Sequence, residues 1–107
     1  MGCGRIKIMN WNGLTLPDNP YYQDDAVIIY HADCRDKLPF ISEADLAWTD
    51  PPYNVGKDYG VWNDSLDDKV YLQFCTDWIT LLKASSPILA VYVPTKYILD
   101  YWQRLGR

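Results

Sequence analysis

A chain of 107 residues holds one domain at most, and with 49% hydrophobic residues it can bury a core. A formal net charge of -4, with ten Lys and Arg scattered along the chain, excludes the basic stripe by which proteins hold nucleic acid unaided. Three widely spaced cysteines with no Cys-x-x-Cys pair argue against a disulfide framework or a zinc site and fit reduced thiols in a cytoplasm, and no apolar run reaches membrane-spanning length.

Residues 1–25 read as an irregular N-terminal arm. Ile6-Lys7-Ile8-Met9 offers a short edge strand, while Asn12-Gly13 and the stretch from Leu16 to Pro20 are turn chemistry. Gly2-Cys3-Gly4 lacks the preceding strand that a phosphate loop needs, and Ile6 stands where a myristoylation signal carries Ser or Thr. From residue 26 to 107 the order of elements is β, short α, β, loop, α, β, α. Ala26 to His31 is a continuous β-branched and aromatic run, the pattern of a strand buried on both faces. Arg35 to Phe40 predicts a turn of helix stopped by Pro39.

Ala44 to Thr49 predicts a second strand, which Pro51 and Pro52 end because neither can donate to a sheet ladder. Asn54 to Asn63, with Gly56 and Gly60, reads as a mobile loop. Ser65 is placed to cap the clearest helix, with Asp68 three residues on. Its apolar stripe runs Leu66, Val70, Phe74 and Trp78, widened by Tyr71, Ile79 and Leu82. Ile88 to Val93 is a third apolar strand, closed by Pro94. Thr95 is placed to cap a last helix through Leu105, and Gly106 to stop it. This alternation predicts an α/β fold with a mostly parallel sheet of about three core strands and flanking helices. Ligands of such sheets sit beyond the carboxyl ends of the strands, where Asp33 and Asp50 stand.

The densest chemistry lies in Asp50-Pro51-Pro52-Tyr53. Two consecutive prolines give a stiff extended backbone without N–H groups, so their carbonyls present acceptors with no donors beside them. The Asp50 carboxylate adds another acceptor, and Tyr53 adds a ring able to stack on a planar heterocycle. An exocyclic amine on a nucleobase has the two hydrogens such a loop would receive. Two acceptors on those hydrogens localise the nitrogen lone pair and aim it at an electrophile, which is orientation and charge stabilisation more than proton removal. A base inside a duplex reaches such a loop only if flipped out.

Asp50-Pro51-Pro52-Tyr53 resembles the catalytic motif of the amino-group (N6-adenine and N4-cytosine) DNA methyltransferases. Flanking segments extend the resemblance: Tyr30-His31-Ala32-Asp33-Cys34, Leu38-Pro39 and Ala44-Asp45-Leu46 before it, and Asn54 to Gly60, Trp62, Asp64 and Ser65 after it. Together they cover roughly residues 26 to 93 and are similar to the permuted members, in which the catalytic motif precedes the glycine-rich cofactor motif. The resemblance implies a partial Rossmann-like methyltransferase sheet, S-adenosylmethionine as cofactor, and double-stranded DNA with a flipped target base as partner, as in restriction–modification systems. It implies that Asp50 and the Pro51 carbonyl receive the amine hydrogens, that Tyr53 stacks on the base, and that Asp33, with Asp50, lies at the cofactor. Asp in the first position favours adenine over cytosine.

The departures are specific. Ala32 stands where the family has Gly, and the Phe-x-Gly-x-Gly motif is missing, Gly106 being the only glycine after Gly60. The chain therefore reads as the N-terminal, catalytic half of such an enzyme, inactive alone, with the missing C-terminal half or a second copy as its protein partner. The alternative is a non-catalytic remnant that only folds or binds a partner. Asp33 is equally well explained as a helix cap, His31 as a packed residue, and Cys34 and Cys75 as small buried residues.

Overall fold

The computed structural model describes residues 7–41 and 43–106. The readings on Gly2-Cys3-Gly4, Met1-Gly2 and Ile6 lie outside the described residues. From residue 7 to 25 the arm is more regular than its turn-rich sequence suggests. β1 (Ile8–Trp11) and β2 (Leu14–Pro17) form an antiparallel hairpin in which Trp11 faces Leu14. Asn12 and Gly13 make the two-residue turn, with φ of 49° and 85°. Both central positions of such a turn need left-handed backbone, which Asn and Gly tolerate. The Asn-Gly pair, read as a turn alone, is what makes the arm regular.

The first long apolar run departs from expectation. Only β4 (Ile28–Ile29) is a strand, and it pairs antiparallel with β3 (Tyr22–Gln23) rather than joining a parallel sheet. The cause is Asp24. One of its carboxylate oxygens accepts the backbone N–H groups of both Ala26 and Val27 at 2.8 Å, so the start of the run is spent on a local turn. Val27 and Ile29 remain exposed.

α1 (Cys34–Lys37) follows, continued by a 3-10 turn at Leu38–Phe40 that carries Pro39 in its first turn. β5 (Ala47–Thr49) and β6 (Leu89–Val91) then pair in parallel, in the register Ala47–Leu89, Trp48–Ala90 and Thr49–Val91. α2 (Asp68–Ser85) connects them, completing the predicted β–α–β unit. The parallel sheet among the described residues therefore has two strands rather than three.

α2 starts two residues later than predicted, and Asp67 caps it by accepting from the Lys69 N–H. Upstream of that cap the chain is held by side chains, the Ser65 N–H donating to Asn63 and the Leu66 N–H to Asn54. The buried face of α2 is Tyr71, Cys75, Trp78 and Ile79, with Phe74 and Leu82 partly buried against them. Val70, placed in the stripe by its spacing, is exposed. After a 3-10 turn at Thr95–Tyr97, α3 (Ile98–Leu105) packs Tyr101 against that face, and Gly106 closes the helix by donating to the Trp102 carbonyl. A Cβ on Gly106 would stand 2.8 Å from that oxygen, so only glycine fits there without a shift.

Tyr71 and Tyr101 are fully buried. Rings of this size remove roughly 150–250 Å² each from water, on the order of 4 kcal/mol apiece before conformational entropy is counted. No helix among the described residues is long and apolar enough to cross a membrane.

Candidate amine-binding site

Thr49 is the last residue of β5, and its carbonyl accepts from Tyr92, beyond the end of β6. The ladder therefore holds the chain in place up to the residue before Asp50. Pro51 is buried, Pro52 and Tyr53 are half-buried, and Asp50 is exposed. These four residues and Asp33 line one cleft of about 740 Å³, with Tyr59, Trp62 and Phe74 supplying aromatic wall. The five residues singled out in the sequence are brought together, although the strand before Asp33 is not part of the parallel sheet.

The two proline carbonyls have different fates. The Tyr71 hydroxyl donates to the Pro52 carbonyl at 2.6 Å. Tyr71 and Tyr101 share a further hydrogen bond at 2.7 Å, and the Cys75 thiol lies 3.4 Å from the Tyr101 oxygen. A hydrogen-bonded row thus runs from the core to the loop, and burial pushes both phenols far above the ordinary tyrosine range. Among the described residues nothing donates to the Pro51 carbonyl. The expectation of two carbonyls without donors fails for Pro52, which Tyr71 holds.

Tyr53 stands against Asp50. The nearby Asp50 carboxylate, and then burial, push its phenol above the ordinary value. Asp33 caps α1 by accepting from the Arg35 N–H at 2.9 Å. The Arg35 guanidinium grips the same carboxylate through Nε at 3.0 Å and Nη2 at 2.6 Å, which holds its pKa below the ordinary carboxylate value. The helix-cap role is thus realised, and the carboxylate still lies on the cleft wall. Arg35 in turn lies 5.1 Å over the Phe74 ring, tying α1 to α2.

What sequence reasoning missed is the clamp behind Tyr53. Asn54 has φ of 58°, in the left-handed region that Asn tolerates better than most residues. It is buried, as is Asp64. Asp64 accepts the N–H groups of Asn54, Val55 and Lys57 at 2.9–3.0 Å, and its carbonyl accepts from Gly56. Burial works against ionisation of Asp64, but those amides win and keep its pKa below the ordinary value. The Asn54 side chain accepts from the Leu66 N–H and donates to the Leu66 carbonyl and the Tyr97 hydroxyl. The Tyr97 hydroxyl in turn donates to the Asp68 carboxylate. The segment read as a mobile loop is therefore pinned where it leaves Tyr53. The legible signal was the recurrence of Tyr, rather than Phe, at core positions 71, 97 and 101, each hydroxyl needing a partner.

Replacing Tyr71 by Phe removes the Pro52 donor and keeps the ring. We expect a loss of about 1–2 kcal/mol in stability, read as a lower urea midpoint at unchanged slope.

No family model matches the chain, and no solved structure matches it. Two curated proteins do. Over 83 residues, 74% of the chain, it is 34% identical to the Type II methyltransferase M.ScaI of Streptomyces caespitosus. Over 58 residues, 50% of the chain, it is 43% identical to the Type II methyltransferase M.HpaI of Haemophilus parainfluenzae. The matched stretches make up 26% and 18% of those proteins, so the chain spans about a quarter or less of either relative. Its similarity is to Type II methyltransferases, over most of its own length and a small part of theirs.

Proposed function

We propose that the chain carries the base-binding, catalytic part of an S-adenosylmethionine-dependent DNA methyltransferase that acts on an exocyclic amine, N6 of adenine in preference to N4 of cytosine. The observation that carries this reading is the unequal treatment of the acceptors in the loop. Tyr71 ties down the Pro52 carbonyl, while the Pro51 carbonyl and the Asp50 carboxylate are left at the cleft. Two acceptors on adjacent residues match the two hydrogens of an amine. In the bound state one amine hydrogen goes to the Asp50 carboxylate and the other to the Pro51 carbonyl, with the Tyr53 ring against the face of the base. Tyr59, Trp62 and Phe74 provide the flat apolar surroundings that a flipped base needs. The similarity to two Type II methyltransferases supports the same class of reaction.

The residues present fit the cofactor only in part. Asp33, on the cleft wall, would approach the adenine of S-adenosylmethionine, which when bound supplies the electrophilic methyl group. The cradle of glycines is absent from the sequence after Gly60, so the chain orients the amine and leaves most of the cofactor unheld. The net charge of -4 points the same way for DNA, whose phosphates this segment alone would hold weakly. A remnant that binds a partner without catalysis is the second reading, favoured by the missing glycines.

Titration of the 107-residue chain with S-adenosylmethionine in a calorimeter is expected to show weak or no binding; micromolar affinity would place the whole cofactor site in this segment. The activity itself is tested by methyl transfer to duplex DNA with a methyltransferase segment supplied alongside the chain. Product mapped to adenine N6 supports the reading, and transfer to cytosine C5 overturns it.

A further inference from the structure

The β5–β6 sheet is covered on one side only. Its register pairs Trp48 with Ala90, so by strand alternation Leu46, Trp48, Ile88 and Tyr92 project from one face, and Ala47, Thr49, Leu89, Val91 and Val93 from the other. Val91 and Val93 pack into the core cluster with α2 and α3. Among the described residues the opposite face meets nothing comparable. Leu46 is 50% exposed, Trp48 68%, Ile88 59% and Tyr92 53%, and the Trp48 and Tyr92 rings lie 6.5 Å apart. Parallel sheets are buried on both faces, and a two-stranded sheet is a piece of a larger one. Four large apolar side chains in a contiguous patch mark a surface that is meant to be covered.

We propose that this face docks the helical layer of a complementing methyltransferase segment, the part that M.ScaI and M.HpaI carry outside the stretch they share with this chain. The proposal rests on the methyltransferase reading above and names the partner of that site. Two observations select this occupant. The matched stretches are only 26% and 18% of the relatives, so each relative carries a large remainder able to supply strands and helices. The outer edges of β5 and β6 are also unpaired among the described residues, so the natural occupant adds strands as well as a helix. A second copy would offer the exposed Ile98, Leu99 and Trp102 of the eight-residue α3. The face runs along β5 to Asp50, so the docked layer closes over the cleft from that side.

The test mixes the full chain with the part of M.ScaI outside the matched stretch, expressed separately, and follows association by sedimentation and calorimetry. A 1:1 complex is expected. Trp48→Glu and Tyr92→Asp should each weaken it by at least roughly tenfold, with unchanged circular dichroism and thermal midpoint, whereas Trp102→Glu should leave it intact. No association, or association indifferent to Trp48 and Tyr92, overturns the proposal. So does self-association of the chain that Trp48→Glu abolishes, which would make a second copy the occupant. A complex that forms through this face yet transfers no methyl group supports the docking surface and counts against the catalytic reading instead.

Discussion

Asp50→Ala is expected to lower methyl transfer by at least about a hundredfold, the scale on which enzymes lose rate when one preorganised partner of the reacting group is removed. The variant keeps the Pro51 carbonyl, so the amine retains one acceptor of two and loses the aim that the pair provides. Asp50 is exposed and its side chain lies outside the core, so the urea midpoint should not move. Asp50→Asn keeps the shape and one acceptor oxygen but adds an N–H that meets the amine donor to donor. It should therefore recover little. The measurement is label transfer to duplex DNA with the complementing segment present, alongside cofactor binding, which should be largely retained. Methylation at the wild-type rate would remove Asp50 from the proposed role.

The second large effect is on stability. Asp64→Ala strands the N–H groups of Asn54, Val55 and Lys57, the first of them buried and the other two part-buried. Leaving a buried donor unpaired costs about 1–3 kcal/mol. Some of the three will find water as the turn opens, so the expected total is about 3 kcal/mol, a large fraction of the stability of a small domain. The pH dependence follows from the same contacts. The folded-state pKa of Asp64 lies below its ordinary value of about 3.8. Its contribution is therefore fully present above that ordinary value and disappears as the pH falls through the lowered folded-state pKa. The wild-type chain should lose stability steeply in that acid window, and Asp64→Asn should show a shallower acid limb from a lower starting point. Equal acid limbs in the two proteins would mean that the amides do not depend on the carboxylate charge.

The parts legible in the sequence were those fixed by local covalent facts. Two prolines end β5 wherever the rest of the chain lies, and an eighteen-residue helix between two apolar runs forces them into parallel pairing. The Asp50–Tyr53 loop stood out because a carboxylate, two prolines and an aromatic ring follow one another directly. The first apolar run was misread because its fate is set by Asp24, a neighbour outside the run that captures two of its donors. The cap of α2 was misread because Asp67, two residues after Ser65, offers an equally good capping carboxylate and takes the role. The clamp around Asn54 and the Tyr71 contact to Pro52 are long-range pairings between polar tips. Pattern and spacing carry no record of which hydroxyl meets which carbonyl.

The ties on the substrate loop have a consequence for the order in which the molecule is made. Tyr71 lies 19 positions after Pro52, and Tyr97 lies 43 positions after Asn54. Tyr101, which braces Tyr71, comes later still. A ribosome extends the chain from the N-terminus, so Asp50 to Tyr53 emerge long before the residues that hold them, and closing such long loops is slow compared with forming a helix. Until the last helix has docked, the nascent protein displays the motif without the geometry. Any shortened product that ends before Tyr97 would keep the four letters and lack a site.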